Sequence, residues 1–179
     1  MNIWHDIDIS RITPELFDCV IEISKGSKNK YELDKKTGLM RLDRVLFTSM
    51  HYPANYGFIP RTYTDDKDPL DVLLLCSEGI NPMTLVESRP IGVLKMTDEG
   101  STDEKIIAVC VNDPFYNVYH DISELPAHVF EEIRHFYAVY KMLELKDTVV
   151  NETLGFDDAK RVILKSMDAY NELIANVIY

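Results

Sequence analysis

Four carboxylates fall within seven residues, where the chain reads Asp65-Asp66-Lys67-Asp68-Pro69-Leu70-Asp71. Pro69 restricts its own φ and pushes Asp68 towards extended geometry, so we expect the acidic side chains on a rigid bend. An apolar run at 72–75 follows directly, which places the bend at the mouth of a strand. Carboxylates held this close raise one another's pKa unless cations neutralise them, and hard divalent ions favour such oxygen ligands. The segment indicates a metal site, with a solvated acidic turn as the alternative.

A second acidic cluster, Asp98-Glu99-Gly100-Ser101-Thr102-Asp103-Glu104-Lys105, connects two predicted strands. Taken alone it is typical of a charged hairpin tip. Two acidic loops at strand ends make a shared site for several metal ions plausible, although spacing does not show that the loops meet. An EF-hand is excluded, because positions five and twelve counted from Asp66 are Leu70 and Ser77.

Other catalytic chemistries lack support in the residues. No HExxH or HxH pattern is present, so zinc hydrolysis by histidine ligands is disfavoured, and His51 and His135 are interpreted as structural. No GxSxG motif supports Ser/His/Asp catalysis.

The net charge of −11 argues against a nucleic-acid binder, which needs a basic surface. No apolar run approaches the length of a membrane span, and residues 1–10 lack the pattern of a signal peptide. The three cysteines, Cys19, Cys76 and Cys110, lie far apart in apolar runs and are predicted to be buried free thiols. We therefore expect a cytoplasmic protein that binds neither nucleic acid nor membrane.

The chain has 179 residues and shows no repeat or linker, so we expect one domain over 1–179. Thr13-Pro14-Glu15 is typical of the cap and first turn of a short helix. Lys36-Thr37-Gly38 is typical of a hairpin turn. Runs rich in Val, Ile and Leu, separated by turn residues, predict strands at 19–24, 30–34, 39–47, 71–76, 85–87, 91–96 and 105–111.

Apolar residues then recur at helical spacing in two stretches, from Leu125 to Tyr140 and from Ala159 to Ile178. Short strands followed by two long helices predict an α+β fold in which a sheet or barrel packs against the helices.

The acidic bend, Asp66-Lys67-Asp68-Pro69-Leu70-Asp71-Val72, resembles the DGDPxDV signature of family I soluble inorganic pyrophosphatases. Further blocks match that family in order between residues 22 and 141: Ile21-Glu22-Ile23, Lys30-Tyr31-Glu32, Asp43-Arg44, Tyr52-Pro53-Ala54-Asn55-Tyr56-Gly57, the segment from Arg89 to Glu99 followed by Asp103 and Lys105, His135-Phe136-Tyr137 and Tyr140-Lys141. The ordered set makes a chance resemblance improbable. The first twenty and last forty residues add little to it.

The chain departs from the family pattern at three positions. Lys67 stands where glycine is usual, and because lysine takes a left-handed turn less readily, the loop geometry or its charge should differ. Phe58 replaces a residue that is tyrosine in some members, so one hydroxyl is absent. Ala54 replaces a frequent cysteine, which we expect to be neutral.

The resemblance implies hydrolysis of inorganic pyrophosphate to two orthophosphates by metal-activated water, with several Mg²⁺ ions per active site. It implies a small, distorted five-stranded, OB-like β-barrel flanked by two C-terminal helices, and a homo-oligomer, commonly a homohexamer. Asp68 would be the general base. The implied metal ligands are Asp66, Asp71, Asp98, Asp103 and, through water, Glu22. The implied phosphate-binding residues are Lys30, Arg44, Tyr56, Lys105, Tyr140 and Lys141.

Each of these residues has a plainer alternative. An isolated lysine is usually a solvated surface charge, and Tyr140, seven residues after Ile133 on an apolar helix stripe, could be a core residue. Two other functions stay open on the residues alone. One is another metal-dependent phosphoester or nucleotide hydrolase, and the other is a non-catalytic barrel that binds oligonucleotides.

Overall fold

The structure, a computed structural model, describes residues 2–177, with side chains described to residue 176. Within these residues the chain forms eight strands: β1 (Phe17–Ile23), β2 (Asn29–Leu33), β3 (Met40–Val45), β4 (Asn55–Phe58), β5 (Asp71–Leu75), β6 (Leu85–Asp98), β7 (Ser101–Cys110) and β8 (Thr148–Gly155). The two α-helices are α1 (Ala127–Val139) and α2 (Phe156–Val177), and single 3₁₀ turns lie at Ile9–Arg11, Ile122–Glu124 and Met142–Glu144.

Five strands form a ring in the order β1-β4-β5-β7-β6, which closes because β6 pairs again with β1. All pairings in the ring are antiparallel except β5 with β7. β8 extends the sheet as a sixth strand beside β6, while β2 and β3 form a separate hairpin. The predicted five-stranded, barrel-like core with two C-terminal helices is confirmed, although the ring is not a clean barrel.

The side chains of the ring strands alternate between two buried clusters, as the period of a strand requires. On β5, Val72 and Leu74 belong to one cluster and Leu73 belongs to the other. α2 packs Ala159 and Ile163 into the first cluster, and α1 packs residues such as Phe136 into the second. Each predicted helix therefore covers one face of the strands. Ile178, at the end of the second helical pattern, lies outside the described residues.

The hairpin turn predicted between β2 and β3 is confirmed, with Gly38 at a φ of 72°. The short helix predicted at Thr13 is wrong. Thr13 Oγ1 donates to the Leu16 carbonyl and accepts from its amide, which closes a turn before β1. The strands predicted at 85–87 and 91–96 are one strand, β6, which passes Pro90 with a register shift between Pro90 and Gly92.

Among residues 2–177, no helix combines the length and the apolar character that crossing a membrane would require.

Candidate active site

The ring brings the two acidic loops together. Asp71 opens β5 and pairs in register with Lys105 on β7. The hairpin of β6 and β7 turns at Glu99-Gly100, and both of these residues have positive φ. This tight turn puts Asp98 and Asp103 on adjacent strands, near the mouth of β5. Parallel pairing of β5 and β7 is thus the feature that joins the loops.

Lys105 lies at the centre of this arrangement and is only 3% exposed. Its Nζ is 2.8 Å from Asp71 Oδ2, 3.0 Å from Asp103 Oδ2 and 3.1 Å from the Tyr56 hydroxyl. Burial alone would lower the pKa of Lys105, but the carboxylates of Asp71 and Asp103 hold that pKa well above its usual value. Lys105 is therefore a permanent cation between two acids, and the solvated-surface alternative does not describe it.

Two further acids are buried at the site. Glu22, at the end of β1, is 8% exposed and accepts a hydrogen bond from the Leu33 amide at 2.8 Å. Burial raises the pKa of Glu22 to about 8. Asp98 forms an ion pair with Lys141, while its second oxygen, Oδ1, is buried without a hydrogen-bond partner among the described residues. A cation in this region would favour the charged form of Glu22 and would give Asp98 Oδ1 a partner.

The acidic bend is folded by its own side chains. Asp66 Oδ1 accepts from the Asp68 amide at 3.1 Å, and Thr64 Oγ1 donates to the Asp68 carbonyl at 2.8 Å. The side chain of Asp68 is 52% exposed, and its carboxylate forms an ion pair with Lys35 from the β2–β3 hairpin. The carboxylate of Asp68 is accessible to water and lies next to the other acids.

A cavity of about 530 Å³ collects nearly all the predicted site residues. They are Glu22, Lys30, Tyr56, Asp66, Asp68, Asp71, Asp98, Asp103, Lys105, Tyr140 and Lys141. Tyr140 satisfies both interpretations offered for it, because it is buried, stacks on Phe136 at 5.2 Å between ring centroids, and also lines the cavity. His51 and His135 are exposed and do not line this cavity.

Arg44 is the predicted residue that does not line the cavity. It lies opposite Lys30 in the β2–β3 hairpin, with a register shift beside the pair. Its guanidinium is bound by Asp43 and by Glu144, with 2.9 Å between Arg44 Nε and Glu144 Oε1. To bind a phosphate in the site, Arg44 would have to release Asp43 or Glu144.

Comparison with known proteins decides the family. The family model described as inorganic pyrophosphatase matches residues 19–171. The chain is 50% identical over 175 residues to soluble inorganic pyrophosphatase 1 of Arabidopsis thaliana, covering 98% of this chain and 82% of that protein. It belongs to the inorganic pyrophosphatase family. It is 52% identical over 171 residues to a soluble inorganic pyrophosphatase of Solanum tuberosum, covering 96% of this chain and 81% of the relative.

The fold agrees with that membership. The crystal structure of the inorganic pyrophosphatase from Thermus thermophilus superposes with a TM-score of 0.92 at 37% identity, covering 96% of this chain and 99% of that one. This chain is accordingly an enzyme that hydrolyses pyrophosphate. The other hydrolase and the binding barrel, left open by the residues alone, are not favoured.

Two departures from the family pattern can now be located in this pyrophosphatase. Lys67 takes a left-handed conformation with a φ of 71°, so the loop keeps a glycine-like turn with a lysine in it. The expectation that Lys67 changes the geometry or the charge of the loop stays a prediction. Phe58 is buried, lines the cavity and contributes an apolar surface where a hydroxyl is absent.

Motif matching missed several residues of the cavity, among them Trp4, Lys35 and Arg41. Lys35 Nζ lies 5.2 Å from the centre of the Trp4 ring, and Trp4 Nε1 donates to the Thr62 carbonyl at 2.9 Å. Tyr137, inside a matched block but given no role, has a buried hydroxyl without a partner among the described residues, and its ring lies 5.6 Å from Lys105 Nζ. The lone tryptophan offered no spacing from which to infer its place.

The donor set of the cavity suits divalent cations. Its acids present carboxylate oxygens, which Mg²⁺ prefers, and the partnerless Asp98 Oδ1 is an oxygen ready to accept one. Within residues 2–176, no group of three His, Cys, Asp or Glu side chains is arranged closely enough to hold a metal ion as it stands. Lys105 forms ion pairs with Asp71 and Asp103, and Lys141 forms an ion pair with Asp98. Cation binding there has to displace or share with these ammonium groups.

Proposed function

We propose that this pyrophosphatase works with several Mg²⁺ ions in the cavity between β5, β7 and the acidic bend. The observation that carries the proposal is that five aspartates of the predicted site and two buried lysines line one cavity of about 530 Å³. The aspartates are Asp66, Asp68, Asp71, Asp98 and Asp103. Pyrophosphate is highly anionic, so a site that hydrolyses it has to position it and neutralise its charge.

The proposed ligands are Asp66, Asp71, Asp98 and Asp103, with Glu22 acting through water. Glu22 and Asp103 both have pKa values raised by burial, so each gains most from a cation at its side. When bound, magnesium neutralises phosphate charge and lowers the pKa of the attacking water.

Asp68 is the proposed general base. It belongs to the rigid bend yet keeps half of its side chain exposed, so a water molecule can reach its carboxylate. Its backbone is held on both sides, because its amide donates to Asp66 and its carbonyl accepts from Thr64. A fixed carboxylate in contact with solvent can accept the proton of the attacking water.

The cationic residues bind the two phosphoryl groups in this proposal. Lys30, Lys105 and Lys141 reach the cavity on different sides, and each is held by a carboxylate. The Tyr56 hydroxyl lies 3.1 Å from Lys105 Nζ and, with Tyr140, can donate to phosphate oxygens. Arg44 joins this set if it leaves Glu144 or Asp43 when substrate binds.

The decisive experiment measures phosphate release from pyrophosphate with Mg²⁺, with and without EDTA, for the wild type, Asp68→Asn and Asp65→Asn. Asp65 is the matched control, because it lies in the same loop but does not line this cavity. It lines an adjoining cavity that shares Asp66, Asp71 and Asp103. Asp68→Asn should lower kcat by roughly 100-fold or more. Asp65→Asn should stay within about twofold of the wild type. Equal loss in both variants would remove Asp68 from the role of base.

Substrate specificity is tested in parallel with nucleoside triphosphates and nitrophenyl phosphate. Magnesium-dependent cleavage of these as fast as of pyrophosphate would favour the general phosphoester hydrolase. We expect pyrophosphate to be strongly preferred.

We also propose a cytoplasmic homo-oligomer, a homohexamer in keeping with the family. All three cysteines are free and buried, which suits a reducing compartment. The Arg44–Glu144 bond sets β3 beside the turn Met142–Glu144, and exposed apolar side chains such as Leu42, Met142 and Leu143 lie on these two elements. Light scattering on a sizing column should give six times the chain mass, and a monomer peak alone would refute the hexamer.

A further inference from the structure

Two of the three cysteines lie at the carboxyl ends of neighbouring parallel strands, Cys76 just after β5 and Cys110 as the last residue of β7. β5 and β7 pair in register from Asp71 with Lys105 to Leu75 with Val109. Extending this register by one residue sets Cys76 opposite Cys110. In sequence these residues are far apart, so only the parallel pairing reveals them as neighbours.

Their side chains also share one face of the sheet. Val72 and Leu74 on β5 belong to the same buried cluster as Ile106 and Ala108 on β7, and this alternation continues to the two cysteines. Cys76 and Cys110 are both members of that cluster. The pKa of the Cys76 thiol is raised first by burial, and Cys110 is among the weaker causes of the shift.

The backbone separation suits a disulfide. Neighbouring strands lie about 4.8 Å apart, and disulfides bridge Cα atoms separated by about 4.4 to 6.8 Å. Cys76 is the residue just after β5, and a bend at Ser77 follows it, so its Cβ can adjust towards Cys110 without disturbing the ladder. The two thiols therefore need only a local movement to bond.

Both cysteines lie at the margin of the core, where they are 9% and 7% exposed. Burial, together with a hydrogen bond to Asp113, raises the pKa of Cys76, so its reactive thiolate fraction is small at neutral pH and oxidation should become faster as the pH rises. Cys19 differs from this pair. It is fully buried on β1 opposite Val86, with no cysteine in register.

We propose that Cys76 and Cys110 are an oxidisable dithiol that forms an intramolecular disulfide with a peroxide. One thiolate attacks a peroxide oxygen, the O–O bond breaks, and a sulfenic acid and one water result after proton transfer. The second thiolate attacks that sulfur, the S–S bond forms, and the hydroxyl leaves as a second water. The two cysteines lose two electrons and two protons, and hydrogen peroxide is reduced to two water molecules.

The bond would cross-link the ends of β5 and β7 that lie away from the active site. Asp71 opens β5 and its register partner Lys105 lies in the middle of β7, each five residues before the nearer cysteine along the chain. Hydrolysis of pyrophosphate by the oxidised protein should therefore stay within about twofold of the reduced protein. The bond also closes the loop that contains β6, which restricts the unfolded chain and should raise the melting temperature.

The experiment treats the full chain with hydrogen peroxide, then counts thiols under denaturing conditions and weighs the intact protein. The variants are Cys76→Ser, Cys110→Ser and the matched control Cys19→Ser. The wild type should fall from three free thiols to one and lose the mass of two hydrogens, while remaining a single chain without reductant. Cys19→Ser should form the bond as well, and the other two variants should not.

Several results would overturn the proposal. Three remaining thiols in the wild type, at peroxide concentrations that fully oxidise glutathione, would do so. A gain of oxygen mass in place of the loss of two hydrogens would mean that the sulfurs cannot meet. Should one serine variant fail to fold, the other still tests the pair, and a peptide containing both Cys76 and Cys110 in the wild-type digest identifies the bond directly.

Discussion

Lys67 has a left-handed backbone conformation that normally favours glycine, yet the loop around it still forms its turn. Its φ of 71° lies in the region where only glycine is free of strain, yet its amide donates to the Thr64 carbonyl at 2.9 Å and closes the turn. The lysine keeps the aspartates on either side of it in place. It also adds a positive charge among four carboxylates.

Replacing Lys67 by glycine should relieve this strain. We expect Lys67→Gly to raise the free energy of unfolding by up to about 1 kcal/mol, with hydrolysis retained. Because a positive charge leaves the acidic bend, the apparent affinity for Mg²⁺ should rise. Denaturant unfolding and magnesium titration of the activity measure the two effects.

The matched control is Lys36→Gly in the β2–β3 turn, where the lysine does not have a positive φ. There the substitution should lower the free energy of unfolding by about 0.5 to 1 kcal/mol. Glycine makes the unfolded chain more flexible and relieves no backbone strain in the folded one. Loss of hydrolysis in Lys67→Gly would show that Lys67 has a role of its own and that its place in the motif is not a tolerated variation.

Much of the candidate site could be named from the sequence. Asp71, Asp103 and Lys105 lie in ordered motifs, and one parallel strand pair brings them together. Lys35 and Trp4 could not be named in this way. They reach the cavity because the hairpin tip and the N-terminal segment fold onto the acidic bend, and such contacts leave no local pattern.

At the scale of the element, two strands were not predicted from the sequence, β4 and β8. Both are strands because of their pairing with neighbours and not because of their composition. β4 has four residues and includes a glycine, and β8 mixes Asn, Glu, Thr and Gly. β8 is ordered by seven residue pairs with β6, and β4 is held between β1 and β5. The helices and the apolar strands were predictable because their own side chains build the core.

Gly57 on β4 is required by the close approach of β1. A Cβ atom at this position would lie 1.9 Å from the carbonyl oxygen of Val20, which is backbone and cannot rotate away. We expect Gly57→Ala to lower the free energy of unfolding by about 3 kcal/mol or more. It should also lower kcat, since the neighbouring Tyr56 contacts Lys105 in the site. Denaturant unfolding and steady-state kinetics measure both.

Gly100→Ala separates this steric effect from backbone strain. Gly100 has a φ of 87° and nothing lies within 4 Å of the added carbon. Gly100→Ala should therefore lower the free energy of unfolding by about 1 kcal/mol, from backbone conformation alone. Equal destabilisation in the two variants would mean that β4 can move away from β1.

At the scale of the whole molecule, the fold gathers acids that repel one another. The chain carries a net charge of −11, and one cavity is lined by six aspartates, Glu22 and Glu32. Six cationic residues line the same cavity and offset part of this charge: Lys30, Lys35, Lys36, Arg41, Lys105 and Lys141. Burial raises the pKa values of Glu22 and Asp103, so we expect cations that enter the cavity to stabilise the charged forms of these acids.

Magnesium should then stabilise the folded protein as well as support hydrolysis. A ligand that binds only the folded state at 100 times its Kd adds about 2.7 kcal/mol, so the melting temperature should rise with magnesium concentration and level off. Sodium chloride at equal ionic strength is the control, because screening alone weakens repulsion without binding. Asp71→Asn should lose most of the magnesium-specific rise, whereas Asp65→Asn should keep it, because Asp71 lines the active-site cavity and Asp65 does not. An equal rise in sodium chloride, or an unchanged rise in Asp71→Asn, would mean that the cations act on the surface at large and not at this cavity.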